Sequence, residues 1–518
     1  MYRNEKKTLM AVDMGVSFIK AGIYDLTGQC ICSSFERVPG EYPSPGVFIQ
    51  KAEEYLKLVL KVIKESILKF TQGTPDIQAI CFSAAMGGAL GIDENWNITA
   101  DWSIISDTRF NSYALKMLDK NSLDLLKLSG TNFPVFAAKL LWWKKEFKPI
   151  YKKTKKFLFL NGYIAGKMGN IKIDDVFVDK SHLQWTALAD LKNGIWSEDL
   201  CSEFDIDKNL LPNIVNSHYI VGKINKNIAS QCGLKDGIPI VAGAGDKPAG
   251  TVGAGLASNG LLIDESASFA SLSLCIDRYI PDIENRTLEN SISPVEGFFL
   301  SNIFINGSGI THDWFVQAFC DDEKRIAKIK NTNPFVILDE RAKNIKPGSD
   351  KLLAVGHLGG RGCPFDPDIR GMWINYSWVH QKEHFWRSLL ESFAYEFANA
   401  INIMKKNYED VNLNEIRVIG GASKSDVWNQ IKSDVTGIPY VRLDRDDLTL
   451  LGDVLIAGYG IGIYDNLKEI SQKFINKTVK YTPNNVNHKY YKKLTKLYIE
   501  VFDRIRKVYK DLKNIPNF

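Results

Sequence analysis

Two aspartates lie at the ends of short apolar stretches, each close to glycine, where a carboxylate could meet a metal-bound phosphate. The first, Asp13, closes the apolar run Leu9–Asp13 and is followed by Gly15 in a turn and then by Lys20. A carboxylate beside exposed backbone N–H groups suits a magnesium ion and the phosphates that the ion neutralises. The lysine could add positive charge for the same anion. A plain β-turn is the alternative for this segment.

The second aspartate, Asp246, lies in the stretch Ala242–Gly255, which consists largely of glycine and alanine. An apolar strand predicted at Ile238–Val241 runs into this stretch, so Asp246 stands where a helix could begin. Small residues let a ligand approach closely, and an aspartate there could accept a hydroxyl proton or hold a metal. A packed turn with Asp246 as the helix cap is the alternative. The stretch is not a Walker A loop, because Gly-Lys-Ser/Thr is missing.

A third segment, Gly420-Gly421-Ala422 followed by Ser423, connects a predicted strand to a predicted helix. Backbone N–H groups at a helix N-terminus bind anions, so this turn could hold a phosphate or a nucleotide. The segment lacks the GxGxxG pattern of a Rossmann dinucleotide site. A strand-to-helix turn capped by a serine is the alternative.

The elements that would position these segments follow a similar order in both halves of the chain: strands, a helix and a glycine turn. Apolar alternation and helical spacing predict strands at Leu9–Asp13, Phe18–Asp25, Gln29–Val38, Ile77–Phe82, Leu261–Ile263, Ala270–Cys275, Phe298–Phe304, Ile416–Ile419 and Tyr440–Leu443, and helices at Lys51–Phe70, His312–Phe319, Glu383–Asn407, Asp426–Thr436 and Leu451–Tyr459. This recurrence favours a duplicated architecture. The region around 139–225 shows no repeat, and its Trp142-Trp143 pair is typical of packing.

Length and composition favour a soluble globular protein of several domains. The 518 residues correspond to roughly three domains of about 150 residues, or to two large ones. Hydrophobic residues make up 45% and charged residues 24%, which excludes a wholly disordered chain, and the net charge of +5 is too small to suggest a nucleic-acid binder by itself. We expect no membrane span and no signal peptide. The eight cysteines form no CxxC pair and are expected to be buried free thiols in a reducing cytosol.

Basic residues dominate the end of the chain from Lys473 onward. Apolar residues, among them Leu497, Tyr498 and Phe502, recur beneath those charges at helical spacing. This pattern favours an amphipathic helix that docks on the body of the protein. A nucleic-acid or membrane patch is the alternative.

The order and separation of the three segments resemble the FGGY family of carbohydrate kinases, over a region from about residue 8 to about residue 467. Asp13–Lys20 is similar to the first phosphate motif of the family, Gly243–Gly255 to the segment with its catalytic aspartate, and Gly420–Asp434 to its adenosine motif. Two further stretches also match: residues 107–109, in the sugar-site region of the family, and His357–Gly371. The chain looks most similar to the xylulose kinase branch.

The resemblance implies an α/β fold with two ribonuclease-H-like domains of the actin-like ATPase type, which flank a catalytic cleft. We therefore expect a sugar-side domain at 1–255, an ATP-side domain at 256–470 and a basic helical tail at 471–518. Phosphoryl transfer needs charge neutralisation and in-line placement more than covalent chemistry, and two domains that close over a cleft meet those needs.

The resemblance also implies individual roles, with ATP and Mg²⁺ as cofactors. Asp246 would be the general base on a sugar hydroxyl, and Asp13 and Asp246 would lie near the magnesium ion. Contacts on the ATP side are implied for Gly15, Ser17, Lys20, Ser268, Gly309, Gly420, Gly421 and Ala422. Contacts on the sugar side are implied for Met86, Gly87, Asp107, Arg109 and Asp246.

The chain departs from the family pattern on the sugar side. Xylulose kinases usually read Ser-Gly-Gln-Met-His-Gly where this chain has Ser-Ala-Ala-Met-Gly-Gly at 83–88, so Ala85 and Gly87 replace a glutamine and a histidine. A site built around hydroxyls discriminates through such polar groups. Their absence predicts a roomier pocket or one that accepts a different polyol.

We expect an ATP-dependent sugar kinase that phosphorylates D-xylulose or a related ketopentose in the cytoplasm. One alternative is a family member for ribulose, erythritol, glycerol or another polyol. A second is a non-catalytic member that binds sugar or nucleotide, which the retained Asp13 and Asp246 disfavour. A third, an actin-like or heat-shock-type ATPase, is disfavoured by the matches at 107–109 and 357–371. The expected partners are the sugar and ATP, with no nucleic acid and no membrane, and a homodimer stays open.

Overall fold

The computed structural model describes residues 7–267 and 269–515, and two large β-sheets form its framework. The first sheet has six strands, in spatial order β14 (Ile220–Lys223), β15 (Pro239–Val241), β6 (Asp76–Ala84), β1 (Lys7–Met14), β2 (Phe18–Asp25) and β3 (Cys30–Arg37). β1 is antiparallel to β2 and parallel to β6. We call this sheet and the helices that cover it the N-terminal lobe.

The second sheet has seven strands, in spatial order β18 (Glu289–Ile292), β19 (Phe299–Ile305), β17 (Ala270–Ile276), β16 (Leu262–Ser266), β22 (Ile416–Ile419), β23 (Tyr440–Leu443) and β24 (Lys477–Tyr481). β16, β17 and β19 are antiparallel neighbours, whereas β16, β22 and β23 are parallel. We call this sheet and its helices the C-terminal lobe. Both sheets thus combine an antiparallel meander with parallel strands, which confirms the predicted duplication.

Helices cover both sheets, and shorter strands pair locally between them. The helices are α1 (Ala52–Leu68), α2 (Asn111–Ser129), α3 (Val135–Glu146), α4 (Lys148–Lys153), α5 (Leu160–Gly169), α6 (Leu183–Thr186), α7 (Glu198–Glu203), α8 (Lys226–Cys232), α9 (Asp246–Gly253), α10 (Gly309–Phe319), α11 (Asp321–Ile329), α12 (Pro334–Ala342), α13 (Lys382–Asn407), α14 (Asp426–Thr436), α15 (Leu448–Gly460), α16 (Leu467–Lys473) and α17 (Asn485–Lys513). The remaining strands are β4 (Glu41–Ser44), β5 (Val47–Ile49), β7 (Gly88–Ile92), β8 (Ile98–Ile104), β9 (Lys156–Leu158), β10 (Phe177–Asp179), β11 (Ala189–Asp190), β12 (Ile195–Trp196), β13 (Asn213–Val215), β20 (Leu353–Val355) and β21 (Met372–Ile374).

β1 is apolar along most of its length because both of its faces are buried. Alternate residues of a strand point to opposite faces of the sheet. Met10 and Val12 accordingly belong to one core cluster, and Leu9 and Ala11 to another. A strand covered on both sides reads as a continuous apolar run. Asp13 is the first charged residue within the run, and it is itself buried, as is Met14 after it.

Helices α9 and α15 join the two lobes. α15 follows β23 in the chain, but it packs on α9 and on β1 and β6 of the N-terminal lobe. The two helix backbones touch at glycines. A Cβ on Gly253 would lie 1.9 Å from the carbonyl oxygen of Leu448, and a Cβ on Gly452 would lie 1.9 Å from that of Ala249. Only glycine permits an approach this close, so these positions fix how the two helices pack.

The chain crosses from one lobe to the other just after α9. Arg417 of β22 donates hydrogen bonds to the carbonyl oxygens of Ala254 at 2.6 Å and Gly255 at 2.8 Å, which ties the crossing to the second sheet. The expected domain boundary between 255 and 256 falls in this crossing and stays a prediction.

The basic end of the chain packs on the C-terminal lobe. β24 pairs with β23 at the edge of the sheet, and α17 packs on α13 and α14. The buried face of α17 consists of Tyr491, Thr495, Tyr498 and Phe502. Leu497, counted by its spacing among the apolar residues, is 53% exposed. The predicted docked amphipathic helix is confirmed, with a narrower apolar face than the spacing indicates.

The structure also bears on the expectations for membrane spans, for the cysteines and for the tryptophan pair. In the part of the chain that the structure describes, no helix is both long and apolar enough to cross a bilayer. All eight cysteines are free. Six of them are buried as expected, but Cys30 and Cys32 are only half-buried because β3 is at the edge of its sheet. Trp142 and Trp143 are buried in the core of the N-terminal lobe, which confirms their packing role.

Candidate active site

Asp246 is the first residue of α9, at the edge where β15 and β6 end side by side. Gly245, rather than Asp246, occupies the helix cap, and its N–H donates a hydrogen bond to Oγ of Ser181 at 2.9 Å. The Asp246 carboxylate accepts a hydrogen bond from the backbone N–H of Lys247 at 2.8 Å and is partly exposed. A carboxylate in the first turn of a helix is also favoured by the helix dipole. The backbone therefore holds Asp246 while leaving it accessible.

The small residues before α9 allow this strand end to lie tightly against β6. Gly243 has a φ of +76°, and a Cβ on it would lie 2.0 Å from the carbonyl oxygen of Phe82. A Cβ on Gly245 would lie 2.5 Å from Sδ of Met86. These contacts explain the glycine-rich sequence, and they place Met86 directly beside the loop that leads into Asp246.

Asp13 lies at the end of β1, between Lys20 of β2 and Ser83 of β6 in the strand register. One carboxylate oxygen is 3.7 Å from Nζ of Lys20, and the other accepts a hydrogen bond from Oγ of Ser83 at 3.5 Å. Ser83 also lies 2.6 Å from the carboxylate of Asp453 on α15. Burial, together with the charge of Asp13, raises the pKa of Asp453 well above its ordinary value. Ser83 therefore links Asp13 of β1 to Asp453 of α15.

Three carboxylates influence one another across the junction of the lobes: Asp13, Asp246 and Glu265 of β16. Burial raises the pKa of Asp246 to about 7 against the opposing charge of Lys247, and the charges of Asp13 and Glu265 add to the increase. Burial also raises the pKa of Asp13, although Lys20 opposes it. A carboxylate with a pKa near the working pH is suited to general base catalysis.

The residues present fit a divalent cation held through one or two carboxylates. Burial makes the negative charges of Asp13 and Asp246 costly, and a nearby cation would lower that cost. The described residues contain no cluster of three or more His, Cys, Asp or Glu side chains that could hold a metal. Mg²⁺ usually keeps water and substrate phosphate oxygens in its shell beside one or two carboxylates, so this sparse donor set suits it.

Three of the glycines predicted to contact the nucleotide, Gly309, Gly420 and Gly421, lie in loops of the C-terminal lobe. Gly420 follows β22 with a φ of +86°, and a Cβ on it would lie 2.7 Å from the carbonyl oxygen of Ser266. The backbone N–H of Gly309, at the start of α10, donates to the carbonyl oxygen of Ala267 at 3.0 Å. Gly421 has open space where a Cβ would be. Three loops thus meet at one edge of the second sheet.

A further predicted nucleotide contact, Ala422, lies at the same edge. Ala422 lies in a short 3-10 helix over Gly421–Lys424, and Ser268 lies outside the described residues. The serine cap considered for this segment is also present, because Oγ of Ser425 accepts a hydrogen bond from the N–H of Trp428 at the start of α14. The serine cap at Ser425 and the open turn at Gly421 are therefore both present, a few residues apart.

The hairpin between β1 and β2 carries the remaining predicted phosphate contacts. Ser17 is exposed at the tip, and the side chain of Lys20 is 51% exposed. The N–H of Gly15, expected to be exposed, instead donates to the carbonyl oxygen of Phe18 at 3.0 Å and closes the turn. Of these groups, Ser17 is exposed, and Lys20 is half exposed while its Nζ lies 3.7 Å from Asp13.

Asp107 and Arg109 form a bidentate ion pair at the end of β8. Nε and Nη2 of Arg109 each donate to an Asp107 oxygen at 2.7 Å, and Oγ of Ser103 donates at 2.9 Å. Asp107 is fully buried. Although burial raises the pKa of Asp107, the hydrogen bonds from Arg109 and Ser103 and the charge of Lys139 hold it below its ordinary value. Arg109 is the exposed member of the pair, and the buried Asp107 holds its guanidinium group.

Two family models cover most of the chain: the N-terminal domain of the FGGY family of carbohydrate kinases matches residues 8–253, and the C-terminal domain matches residues 284–461. The chain belongs to the FGGY family of carbohydrate kinases. The kinase is 24% identical to a xylulose kinase of Bacillus subtilis, over 98% of this chain and 99% of that one. It is 25% identical to a gluconokinase of Bacillus licheniformis, over 98% of each.

A crystal structure of ligand-bound xylulose kinase from Lactobacillus acidophilus has the same fold, with a TM-score of 0.89 and 21% sequence identity, over 98% of this chain and 100% of that chain. The predicted fold of two actin-like domains is thus confirmed. The kinase is an ATP-dependent sugar phosphotransferase, and kinases of this family generally use a divalent metal.

Several residues of the kinase site were not predicted from the sequence. Nζ of Lys247 lies 3.1 Å from the carboxylate of Glu265 and 3.3 Å from Oγ of Ser271, so it links α9 to the second sheet. Lys247 directly follows the predicted base, and Glu265 lies shortly before the predicted contact Ser268 in the sequence, so both could have been found by position. Asp453 reaches the site through the packing of α15, and no local pattern marks it.

Proposed function

We propose that the kinase transfers the γ-phosphoryl group of ATP, in the presence of Mg²⁺, to a hydroxyl of D-xylulose or a related ketopentose. The observation that carries this proposal is the position of Asp246, which is accessible at the start of α9 and under the electrostatic influence of Asp13 and Glu265. The glycine loops at the edge of the second sheet provide the nucleotide side. The free thiols and the similarity to metabolic kinases support a cytoplasmic location.

In the proposed reaction, Asp246 accepts the proton of the sugar hydroxyl as its oxygen forms a bond to the γ-phosphorus. The bond from that phosphorus to the β–γ bridging oxygen breaks, and ADP leaves. Asp13 and Asp246 would hold Mg²⁺, which supplies charge neutralisation for the phosphate oxygens. Lys20, with half of its side chain exposed, adds positive charge on the same edge. Lys247 is occupied by Glu265 and holds the two lobes in register around the base.

A second substrate class is an aldonate, such as gluconate, or another polyol. The gluconokinase relative is as similar to this chain as the xylulose kinase relative is. Ala85 and Gly87 also leave the sugar side without two polar groups that xylulose kinases usually have. These observations favour a test of ketoses, aldonates and polyols side by side.

The decisive experiment is an ADP-release assay with Asp246→Asn over a panel of ketoses, polyols, aldoses and aldonates. The amide cannot take the hydroxyl proton, so we expect turnover to fall by about 10² or more while nucleotide binding persists. Asp236→Asn is the matched control, because Asp236 is an exposed aspartate in the turn before β15. Turnover that is equal in the two variants would remove Asp246 as the base.

A further inference from the structure

Gly87 and Trp185 fit against each other although they are far apart in the sequence. Gly87 has a φ of +74°, and a Cβ on it would lie 3.0 Å from Cζ3 and 3.1 Å from Cε3 of Trp185. The indole therefore fills the volume that a side chain at position 87 would need. A left-handed backbone conformation disfavours such a side chain as well. The indole ring of Trp185 therefore packs directly on the backbone of Gly87. We call the surface that these two residues form the wall.

A series of contacts places this wall beside the proposed base. Met86 packs on Gly245, the residue that precedes the base. On the other side, the ring centroid of Trp185 lies 6.0 Å from that of Phe304 on β19. Nζ of Lys247, the residue that follows the base, lies 5.5 Å from the Phe304 ring. The contacts run from the residue before Asp246 to the residue after it, so the indole lies close to the proposed base.

The indole N–H of Trp185 is buried and has no hydrogen-bond partner in the structure. This group can only donate, and buried donors in folded proteins nearly always have a partner. The adjacent Gln184 is anchored, because its side chain donates a hydrogen bond to the carboxylate of Glu289 on β18 at 2.7 Å. A buried, unpaired donor close to the proposed base is suited to a ligand oxygen.

We propose that Trp185 determines the substrate specificity of the kinase, in place of a polar side chain at position 87. This inference rests on the proposed function. The ring face packs against the C–H groups of the substrate, and the N–H donates to a substrate oxygen. Because carbonyl and carboxylate oxygens are strong acceptors, the wall favours a ketose or an aldonate over a polyol that has only hydroxyl groups.

The test compares wild type with Trp185→Phe, which keeps a ring and removes the N–H. KM and kcat are measured for D-xylulose, D-gluconate and xylitol. We expect KM for the preferred ketose or aldonate to rise about tenfold, the usual effect of losing one hydrogen bond, while kcat changes less than about threefold. KM for xylitol should change by less than about twofold, so selectivity falls. A rise in KM for D-xylulose would identify a carbonyl oxygen as the acceptor of the indole N–H, and a rise in KM for D-gluconate would identify a carboxylate oxygen.

Trp196→Phe is the matched control, because Trp196 is also half-buried and its N–H donates to the carbonyl oxygen of Pro212, within the N-terminal lobe. This variant should keep the wild-type selectivity. Gly87→Ala provides a second variant that leaves Trp185 in the chain, since the added Cβ displaces the indole. It should lower selectivity in the same direction.

The outcomes separate this inference from the proposed function. If both Trp185→Phe and Gly87→Ala keep the wild-type selectivity, the inference about Trp185 is overturned. The proposed function, phosphorylation of a sugar, would be unaffected. A wild-type protein that phosphorylates no ketose, aldonate or polyol would overturn the proposed substrates, and the inference with them. A selectivity loss in Trp196→Phe equal to that of Trp185→Phe would show a structural effect and would also overturn it.

Discussion

At the scale of single residues, the junction of the lobes holds carboxylates whose pKa values lie near neutrality. Asp246 has a pKa of about 7 because of burial and of neighbouring acids. Glu289 on β18 is another case. Burial raises its pKa to about 7, although it accepts hydrogen bonds at 2.7 Å from the backbone N–H of Asn132 and from the side chain of Gln184. Asp246 is partly exposed at the start of α9, whereas Glu289 joins the C-terminal lobe to the N-terminal lobe.

Replacing Glu289 with glutamine should change how stability depends on pH. In the folded state the carboxyl group holds its proton up to about pH 7, whereas its ordinary pKa is 4.5. The folded state binds more protons than the unfolded chain between these values, so this group makes the wild type less stable as pH rises through that window. Glutamine does not ionise. We therefore expect the melting temperature of Glu289→Gln, relative to wild type, to increase from about pH 5 to about pH 8.

Thermal unfolding of both proteins across that range checks this expectation. The other titratable neighbour, the Cys363 thiol, stays protonated throughout, since burial raises its pKa well above its ordinary value. Glu94→Gln, at an exposed turn, is the control for a glutamate-to-glutamine change outside the core. A difference in melting temperature between Glu289→Gln and wild type that stays constant across this pH range would mean that the pKa of Glu289 is not raised.

At the scale of elements, periodicity predicted the framework of the site but not the parts that connect it. β2, β22 and α14 begin and end at the predicted residues, because long apolar patterns reflect burial on a regular sheet or helix. β18 and α6 were not predicted, since β18 is mostly polar and α6 is too short to show a period. These two elements carry Glu289 and Trp185. The sequence could therefore predict Asp13 and Asp246, which follow strands, but not the residues that packing brings beside them.

The packing of α9 against α15 gives a prediction at this scale. Gly452→Ala should destabilise the protein by about 1–3 kcal/mol, because the added Cβ overlaps the backbone of α9 and overpacking of this kind has that cost. Gly250→Ala is the matched control on α9, because its Cβ would lie 3.5 Å from Oγ1 of Thr449, an ordinary contact. Alanine is a better helix former than glycine, so this control should be neutral or stabilising.

Melting temperature and ADP release should be measured together for both variants. Gly452→Ala should also reduce turnover, since α9 begins with the proposed base. Equal stability of Gly452→Ala and Gly250→Ala would show that the helices can separate at little cost, which would contradict a fixed junction.

At the scale of the whole molecule, segments late in the chain complete both lobes. α15 supplies Asp453 to the N-terminal lobe, whereas α17 covers the C-terminal lobe. On α17, Oη of Tyr498 donates to the carboxylate of Glu396 at 2.9 Å, and the same glutamate accepts a hydrogen bond from Arg361. Arg361 belongs to the 357–371 stretch that resembles the family. The C-terminal helix, predicted to dock on the body of the protein, therefore supports residues that the family pattern marks.

Removing α17 should thus unfold or strongly destabilise the C-terminal lobe, because it exposes the apolar surface that Tyr491, Tyr498 and Phe502 cover and leaves the buried Glu396 without one of its donors. A milder test is Tyr498→Ala, which should cost about 3 kcal/mol or more, as do other large-to-small changes in a core. Leu497→Ala, at the exposed neighbouring position, should change stability by no more than about 0.5 kcal/mol. Urea unfolding and ADP release measure both effects. A truncated protein that keeps its stability and turnover would instead favour a nucleic-acid or membrane role for the basic helix.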